Sequence, residues 1–291
     1  MSEATALPKI SIVTPCLNQA SYLESAMRSV LAQEYPNLEY IVMDGGSRDG
    51  SVEIIQRHAP RLAHWESAPD AGQADAIYRG FQRSTGEILG WLNSDDILLP
   101  GCLHKAAQCF RAHPKVECVV GGSVMIDSQG RVIRTPRGLP WCYPGPRVTF
   151  HTLLFMGCWG FTQPASFWRR QAFFEVGGFD ASLRFCFDYD MYLRLAKRHP
   201  FGRLKEFLAG FRVHEASKTS TISDVMRAEN ELLWRRHGRY ERSAPYRAFW
   251  HFAHSSAFHV RRRVFELQLL VRLVRPPVPA GCRLLTETGG E

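Results

Sequence analysis

Many of the motifs that commonly reveal a protein's chemistry are missing from this 291-residue chain. Its eight cysteines include no C-x-x-C pair, which excludes a zinc knuckle or a thioredoxin-type motif and leaves reduced, mostly core thiols. Neither G-x-G-x-x-G nor G-x-x-x-x-G-K-[ST] occurs, so the phosphate cradles of dehydrogenases and P-loop kinases are absent. The G-x-S-x-G elbow of serine hydrolases is absent as well, and Asp44-Gly-Gly-Ser-Arg-Asp-Gly50 fails calcium-loop spacing. No stretch approaches the roughly 18 uninterrupted apolar residues of a spanning helix, and MSEATALPK lacks the apolar segment of a secretory signal. The expected location is the cytoplasm. There is no internal repeat and no low-complexity tract.

What remains is the composition of a folded protein, 45% hydrophobic, long enough for one large domain or two small ones. The net charge of +8 is unevenly placed: residues 245–276 hold six Arg (247, 261, 262, 263, 272, 275) against Glu266, which puts +5 there and +3 elsewhere. A charge gathered in one segment argues against a nucleic-acid partner, whose reading face would spread basic and aromatic residues. The same segment carries Phe249, Trp250, Phe252, Phe258, Phe265 and a run of Leu and Val, the make-up of helices that lie on an anionic membrane face. Packing of those residues on the rest of the chain, or on a second protomer, is the open alternative.

Hydrophobic periodicity predicts strands at 9–13, 38–43, 62–67 and 88–92, alternating with helices after residue 21, near 52–58, at 74–83 and at 101–112. Ser21-x-x-Glu24 reads as a capping box, and Asp49 as the cap of the second helix. This alternation implies a mainly parallel sheet covered on both faces. Beyond residue 115 the pattern changes to a hairpin over 116–135 with its turn at 127–130, a proline-rich loop at 136–150, a strand over 161–168, helices at 170–176 and around 189–196, and a strand near 208–213.

In such sheets ligands bind beyond the carboxyl ends of strands. Three predicted strand ends carry polar residues: Thr14-Pro15 with Asn18, Asp44, and Asn93-Ser-Asp-Asp96. Asp95 and Asp96 repel each other unless solvated, hydrogen-bonded or neutralised by a cation. A divalent metal between them is one reading; Asp96 capping the next helix, with Asp95 in water, is the other.

Four sequence blocks then occur together in order: Ile10-Ser-Ile-Val-Thr-Pro-Cys-Leu-Asn18, Tyr40-Ile-Val-Met-Asp-Gly-Gly-Ser-Arg-Asp-Gly-Ser51, Gly86-Glu-Ile-Leu-Gly-Trp-Leu-Asn-Ser-Asp-Asp96, and Gly177-Gly-Phe-Asp180 running into Phe187-Asp-Tyr-Asp190. With Arg212-Val-His214 and Ser217-Lys-Thr219, the chain over residues 8–220 resembles family 2 glycosyltransferases of the GT-A fold. The resemblance implies an α/β, Rossmann-like, mainly parallel sheet flanked by helices, with a basic amphipathic helical extension at the C-terminus. It divides the chain into a flexible 1–8, a catalytic domain 9–220 (nucleotide half 9–115, acceptor half 116–220), an extension 221–276 and a disordered tail 277–291.

The implied reaction moves a sugar with inversion from a nucleotide-diphosphate donor, UDP favoured, to a hydroxyl of a saccharide or lipid-linked acceptor in cell-surface polysaccharide or glycolipid synthesis. Mn²⁺ or Mg²⁺ is the implied cofactor, and an anionic inner-leaflet membrane surface an implied partner. Position by position, Asp188 matches the catalytic base. Thr14, Pro15, Asn18, Asp44, Gly45, Asp75, Asp95 and Lys218 fall at donor-nucleotide positions, with Asp44 at the base and Asp95 at the ribose. Asp96 and His214 fall at metal positions, and Gln163 and Trp159 at acceptor positions. Leu17, Tyr78 and Phe187 depart from residues common in the family. Asp190, about 200° around a helix from Asp188, is expected to be structural. A module that kept the fold and lost catalysis is the alternative reading. A sugar nucleotidyltransferase is a weaker one, because its glycine-rich nucleotide loop is missing.

Overall fold

The computed structural model describes residues 7–157 and 161–270. Its first half alternates β1 (Ile10–Cys16), α1 (Ala20–Leu31), β2 (Leu38–Asp44), α2 (Ser51–His58), β3 (His64–Ser67), α3 (Gln73–Arg83), β4 (Ile88–Trp91), β5 (Ile97–Leu98) and α4 (Cys102–Ala112). The second half comprises β6 (Cys118–Ile126), β7 (Cys142–Tyr143), α5 (Phe150–Met156), β8 (Ser166–Arg169), α6 (Arg170–Glu175), α7 (Phe187–Arg198), β9 (Phe201–Arg212), α8 (Lys218–Thr221), α9 (Ser223–Arg236) and α10 (Ala244–Leu270). The strands form one sheet in the order β3-β2-β1-β4-β8-β6-β9-β5, with β7 added on β6. Pairing among β3, β2, β1 and β4 is parallel, whereas β8 enters antiparallel to both β4 and β6.

Two-residue alternation explains the double covering. Ile10 and Ile12 of β1 and Tyr40 and Val42 of β2 pack with α1 and α4, while Val13, Ile41 and Met43 face α3, where Ile77 and Phe81 are buried. Each such side chain contributes roughly 1.5–3 kcal/mol by leaving water. Parallel strands buried on both sides must read as nearly continuous apolar runs, as β1, β2 and β4 do. Of the cysteines, Cys16, Cys102, Cys109, Cys118, Cys142 and Cys186 are free and buried.

Several local expectations are revised. Ser21 and Glu24 do not cap α1, which starts at Ala20 with no side-chain cap of its own. The loop after β2 supplies the acceptors instead: Asp49 accepts from the Ala20 N–H at 2.9 Å and the Ser51 hydroxyl from the Gln19 N–H at 3.1 Å. Glu24 is drawn away by Arg28 (2.6 Å), His58 (2.9 Å) and Arg57 (3.1 Å). The third strand starts at His64, because Pro60 lies in a 3-10 turn over Ala59–Arg61. Pro164 likewise turns Gln163–Ala165 into a 3-10 turn and delays β8 to Ser166. The proline-rich loop contains β7, and β9 begins at Phe201, earlier than its apolar end suggests, since its first seven residues are largely solvent-facing.

Among the described residues, no helix is long and apolar enough to cross a membrane. Trp159, the tail from 271 and residues 1–6 lie outside them.

Candidate active site

A cleft of about 970 Å³ opens beyond the carboxyl ends of β1 and β4, walled by those strand ends, the N-terminus of α3, the entry to α7 and the start of α8. It gathers Pro15, Asp75, Asp95, Asp96, Gln163, Asp188 and Lys218 from segments up to about two hundred residues apart.

The end of β4 turns sharply, with the Asp96 N–H bonded to the Asn93 carbonyl at 3.1 Å, and this places two carboxylates differently. Asp96 is buried; one oxygen accepts from the Arg212 N–H at 2.8 Å and the other lies 3.4 Å from the Asn93 amide. Burial, then the neighbouring Asp95 charge, holds its carboxyl well above the usual range, against the pull of Arg212. Asp96 therefore does not cap α4, which starts behind Gly101. Asp95 is paired with the His214 imidazole at 3.0 Å, while Arg212 donates from Nε to the Asp95 carbonyl at 2.6 Å. Tyr22 packs against both His214 and Arg212, with centroid distances of 4.6 and 5.0 Å. The strand end β9 is thereby fastened to the strand end β4.

At the opposite wall, Asp188 is the second residue of α7. Among the described residues it accepts one hydrogen bond, from the Tyr189 N–H at 2.7 Å. Burial pushes its carboxyl up to about 6, opposed by that N–H and by the Lys218 ammonium, and assisted by the charge of Glu229. Glu229, on α9, accepts the N–H groups of Arg184 (2.7 Å), Phe185 (2.9 Å) and Cys186 (2.7 Å), capping the approach to α7. Asp190 points away into the interior, bonded to Arg194 at 2.7 Å and His237 at 3.2 Å. Burial raises its pKa, but these two partners outweigh burial and leave it lowered. Arg194 in turn donates to the carbonyls of Val176 and Gly178, tying down the Gly177-Gly178 turn, where φ values of +88° and +65° need glycine.

A polar chain crosses the floor between these walls. Lys218 donates to the Gln73 carbonyl oxygen at 2.9 Å and to the Arg184 backbone carbonyl; Gln73 donates to Asn93 at 2.8 Å. Asn93 also accepts from the Trp91 indole at 3.2 Å, and Gln163 donates to the Trp91 carbonyl at 2.9 Å. The Gln163 Oε1 atom is buried and has no hydrogen-bond partner among the described residues. Burial lowers the Lys218 pKa, against the pull of Asp188 and Glu229.

The remaining sequence candidates are not part of this wall. Thr14 is buried and bonded to the Tyr40 hydroxyl at 3.0 Å. Asn18, at φ +51°, staples two loops through the Arg48 N–H (2.9 Å) and the Ser47 hydroxyl (2.7 Å). Asp44 accepts from the Gly46 N–H (3.1 Å), the Ser47 N–H (2.9 Å), the Ser47 hydroxyl (2.5 Å) and the Ser67 hydroxyl (2.6 Å). Gly45 permits close approach of Asp70: a Cβ there would lie 2.7 Å from its carboxylate. His214 adjoins the cleft through its pairing with Asp95. Gln73, Asp70, Arg212 and Glu229 had no assigned role in the sequence reading. Asp70 and Gln73 shortly precede the already singled-out Asp75, whereas Glu229 lies on an ordinary amphipathic helix 43 to 45 residues from its partners and leaves no sequence signal.

The sequence model of glycosyl transferase family 2 matches residues 11–177, more than half of the chain. The chain belongs to glycosyl transferase family 2. Similar proteins include an uncharacterized glycosyltransferase of Rickettsia typhi, 27% identical over 245 residues, covering 80% of this chain and 73% of that one. Chondroitin synthase of Escherichia coli is 27% identical over 78% of this chain, which spans only 32% of that protein. Among solved structures, TarS of S. aureus with UDP-GlcNAc has a TM-score of 0.58 at 18% identity, covering 76% of this chain and 65% of that one. Mannosyltransferase PcManGT of Pyrobaculum calidifontis, with GDP-Man and Mn²⁺, has a TM-score of 0.60 at 19% identity, covering 88% and 71%. At these identities the structural likeness establishes the GT-A fold alone. This family 2 glycosyltransferase thus carries its acidic cluster and its α7 carboxylate in one cleft.

Proposed function

We propose that this glycosyltransferase transfers a sugar, with inversion, from a nucleotide-diphosphate donor to a hydroxyl of a saccharide or lipid-linked acceptor in cell-surface polysaccharide or glycolipid synthesis. The observation that carries this reading is Asp188: a cleft-facing carboxyl with one hydrogen bond among the described residues, pushed up to about 6 by burial. Such a group is ionised near neutral pH and still basic enough to take a proton. The acceptor hydroxyl loses its proton to Asp188 as its oxygen bonds to the anomeric carbon. The bond from that carbon to the diphosphate oxygen breaks with its electron pair, on the opposite face of the sugar, and inversion follows.

Asp95 and Asp96 suit the donor side. Carboxylate oxygen and imidazole nitrogen are ligand types that suit Mn²⁺, carboxylate oxygen suits Mg²⁺, and a cation beside the pair would relieve the repulsion between the adjacent acids. Among the described residues, no three His, Cys, Asp or Glu side chains are disposed to hold an ion unaided, so donor phosphates would complete the shell. Asp96 and His214 would hold the ion, which supplies charge neutralisation for the departing diphosphate. Lys218 would add a positive charge to the same oxygens, Pro15 and Asp75 would border the base, and the loop held by Asn18, Asp44 and Gly45 would support that border from behind. UDP is the favoured donor nucleotide. Gln163, with its unpartnered oxygen, would accept from a sugar hydroxyl. An anionic inner-leaflet surface, met by the basic C-terminal segment, would supply the lipid-linked acceptor.

A thermal-shift panel of UDP, GDP, dTDP and CDP, with and without Mn²⁺, tests the donor side on wild type and Asp96→Ala. A ligand at 100 times its Kd stabilises by about 2.7 kcal/mol. One nucleotide is expected to stand out, with Mn²⁺ and only in the wild type. A flat panel in the wild type would overturn the donor assignment.

A further inference from the structure

Lys218 opens α8 after an irregular stretch, residues 213–217, that leads away from the end of β9. Its ammonium is nevertheless fixed from two sides of the cleft. It donates to the Gln73 side-chain oxygen of α3 at 2.9 Å and to the Arg184 backbone carbonyl ahead of α7, and it lies 5.5 Å from the centre of the Phe187 ring. These bonds take two of its three N–H donors among the described residues, and Lys218 lines the cleft. Asp188, Glu229, Arg184 and Cys186 are the titratable groups whose charges act on it.

Gln73 is the first residue of α3. Helical side chains tilt toward the helix N-terminus, so a side chain in the first turn reaches past the helix end, here toward the cleft that Gln73 lines. Its orientation is dictated by its partners. Ammonium and indole groups only donate, so Gln73 must present its oxygen to Lys218, and Asn93 its oxygen to the Trp91 indole at 3.2 Å. The Gln73 NH₂ is left to donate to that same Asn93 oxygen at 2.8 Å, and the Asn93 NH₂ to face the Asp96 carboxylate at 3.4 Å. Flipping either amide would set donor against donor. The chain therefore runs one way, from cation to carboxylate, between the wall of Asp188 and the wall of Asp95 and Asp96. A lysine side chain loses rotamer freedom when it is held, and here that freedom is already lost in the folded chain, before any ligand arrives.

We propose that Gln73 is a positioning residue: anchored on Asn93, it holds the Lys218 ammonium preorganised for the diphosphate group of a nucleotide donor. The part of the ligand it serves is the diphosphate, neither the base nor the sugar. The proposal rests on the donor reading above for what Lys218 meets, and on the hydrogen-bonded chain alone for where Lys218 stands. A Gln73 that merely finished the end of α3 would act without passing through Lys218.

Calorimetric titration of the full chain with UDP and with uridine, in Mn²⁺, tests it on wild type, Gln73→Met, Lys218→Met and the double variant. Methionine keeps the length of each side chain and removes its hydrogen bonds. Each single variant should weaken UDP about tenfold and uridine less than about twofold, and the double variant should bind UDP no more weakly than Lys218→Met alone. Losses that simply add, or an equal loss for uridine, would overturn the proposal. A second measurement needs no ligand. The Lys218 charge holds the Asp188 pKa down, so the Asp188 carboxyl, followed by ¹³C NMR, should titrate at higher pH in Lys218→Met and likewise in Gln73→Met. A titration that moves in Lys218→Met and stays in place in Gln73→Met would show that Lys218 keeps its position unaided, and would overturn the proposal. Circular dichroism melts confirm that each variant is folded, with Gln73→Ala taking the place of Gln73→Met if that variant is not. A wild type that binds neither UDP nor GDP would refute the donor reading and the diphosphate role with it, whereas the Asp188 titration decides separately whether Gln73 places Lys218.

Discussion

Asp44 and Asp188 are both low-exposure carboxylates at the boundary of a regular element, and they are used in opposite ways. Asp44, at the end of β2, accepts four hydrogen bonds from the Gly46 to Ser67 surroundings, so its charge is spent on holding a loop. Asp188, in the first turn of α7, accepts one and faces a cleft across from the acidic pair Asp95–Asp96. Saturation makes a carboxylate structural; leaving it under-satisfied in a low-dielectric wall stores the basicity that proton transfer needs. Sequence position alone treats the two alike.

The largest effect that sharpens this contrast is expected from Asp188→Asn, which should lower kcat by about 10²–10⁴. The same variant should be more stable than wild type above pH 6. The folded pKa of about 6 exceeds the usual carboxylate value, so the stability tied to the proton on Asp188 is present below about pH 4 and lost as pH rises through 6. Asparagine removes that loss, worth about 3 kcal/mol at ~1.4 kcal/mol per pKa unit. A pH profile of wild-type kcat/KM should rise through about 6. An inactive variant with a lowered melting temperature would instead make Asp188 a structural residue like Asp44.

Next comes Glu229→Gln. Misplacing a reacting group by an ångström costs about a hundredfold, so loosening the 184–186 segment should lower kcat by roughly ten- to a hundredfold. Donor KM should stay near its wild-type value. Because the Glu229 charge helps to raise the Asp188 pKa, the acid limb of the rate profile should move to lower pH. An unmoved limb would assign Glu229 to stability alone.

Asp44→Ala addresses the other side of the comparison. It strands two backbone N–H groups and two hydroxyls, and should cost about 2–4 kcal/mol in denaturant titrations while nucleotide affinity changes less than about twofold. A tenfold loss of affinity at unchanged stability would return Asp44 to the base-binding role that its position suggests. The smallest effect is expected from Ser67→Ala, about 0.5–1.5 kcal/mol of stability with no change in rate.

The apolar alternation of β1, β2 and β4 made the parallel half of the sheet legible, because strands buried on both faces leave an unmistakable pattern. The second half was less so. β9 exposes its first residues, β7 has two, and prolines displaced β3 and β8 from their apolar runs. The capping box at Ser21 failed because Asp49 and Ser51, some thirty residues away in sequence, are better placed acceptors. Within the site, Asp95, Asp96, Asp188 and Lys218 were legible from ordered motifs. Glu229 and the Lys218–Gln73–Asn93 chain were not, since each depends on partners 20 to 145 residues distant.

By itself, then, the sequence determined which residues alternate into a buried α/β sheet and which family motifs stand at its strand ends, because burial and periodicity are local properties. Only the tertiary structure decided how those polar groups are employed. Whether a carboxylate is saturated, paired or left facing a cleft depends on groups brought to it from elsewhere in the chain, and that environment sets its pKa and its chemistry.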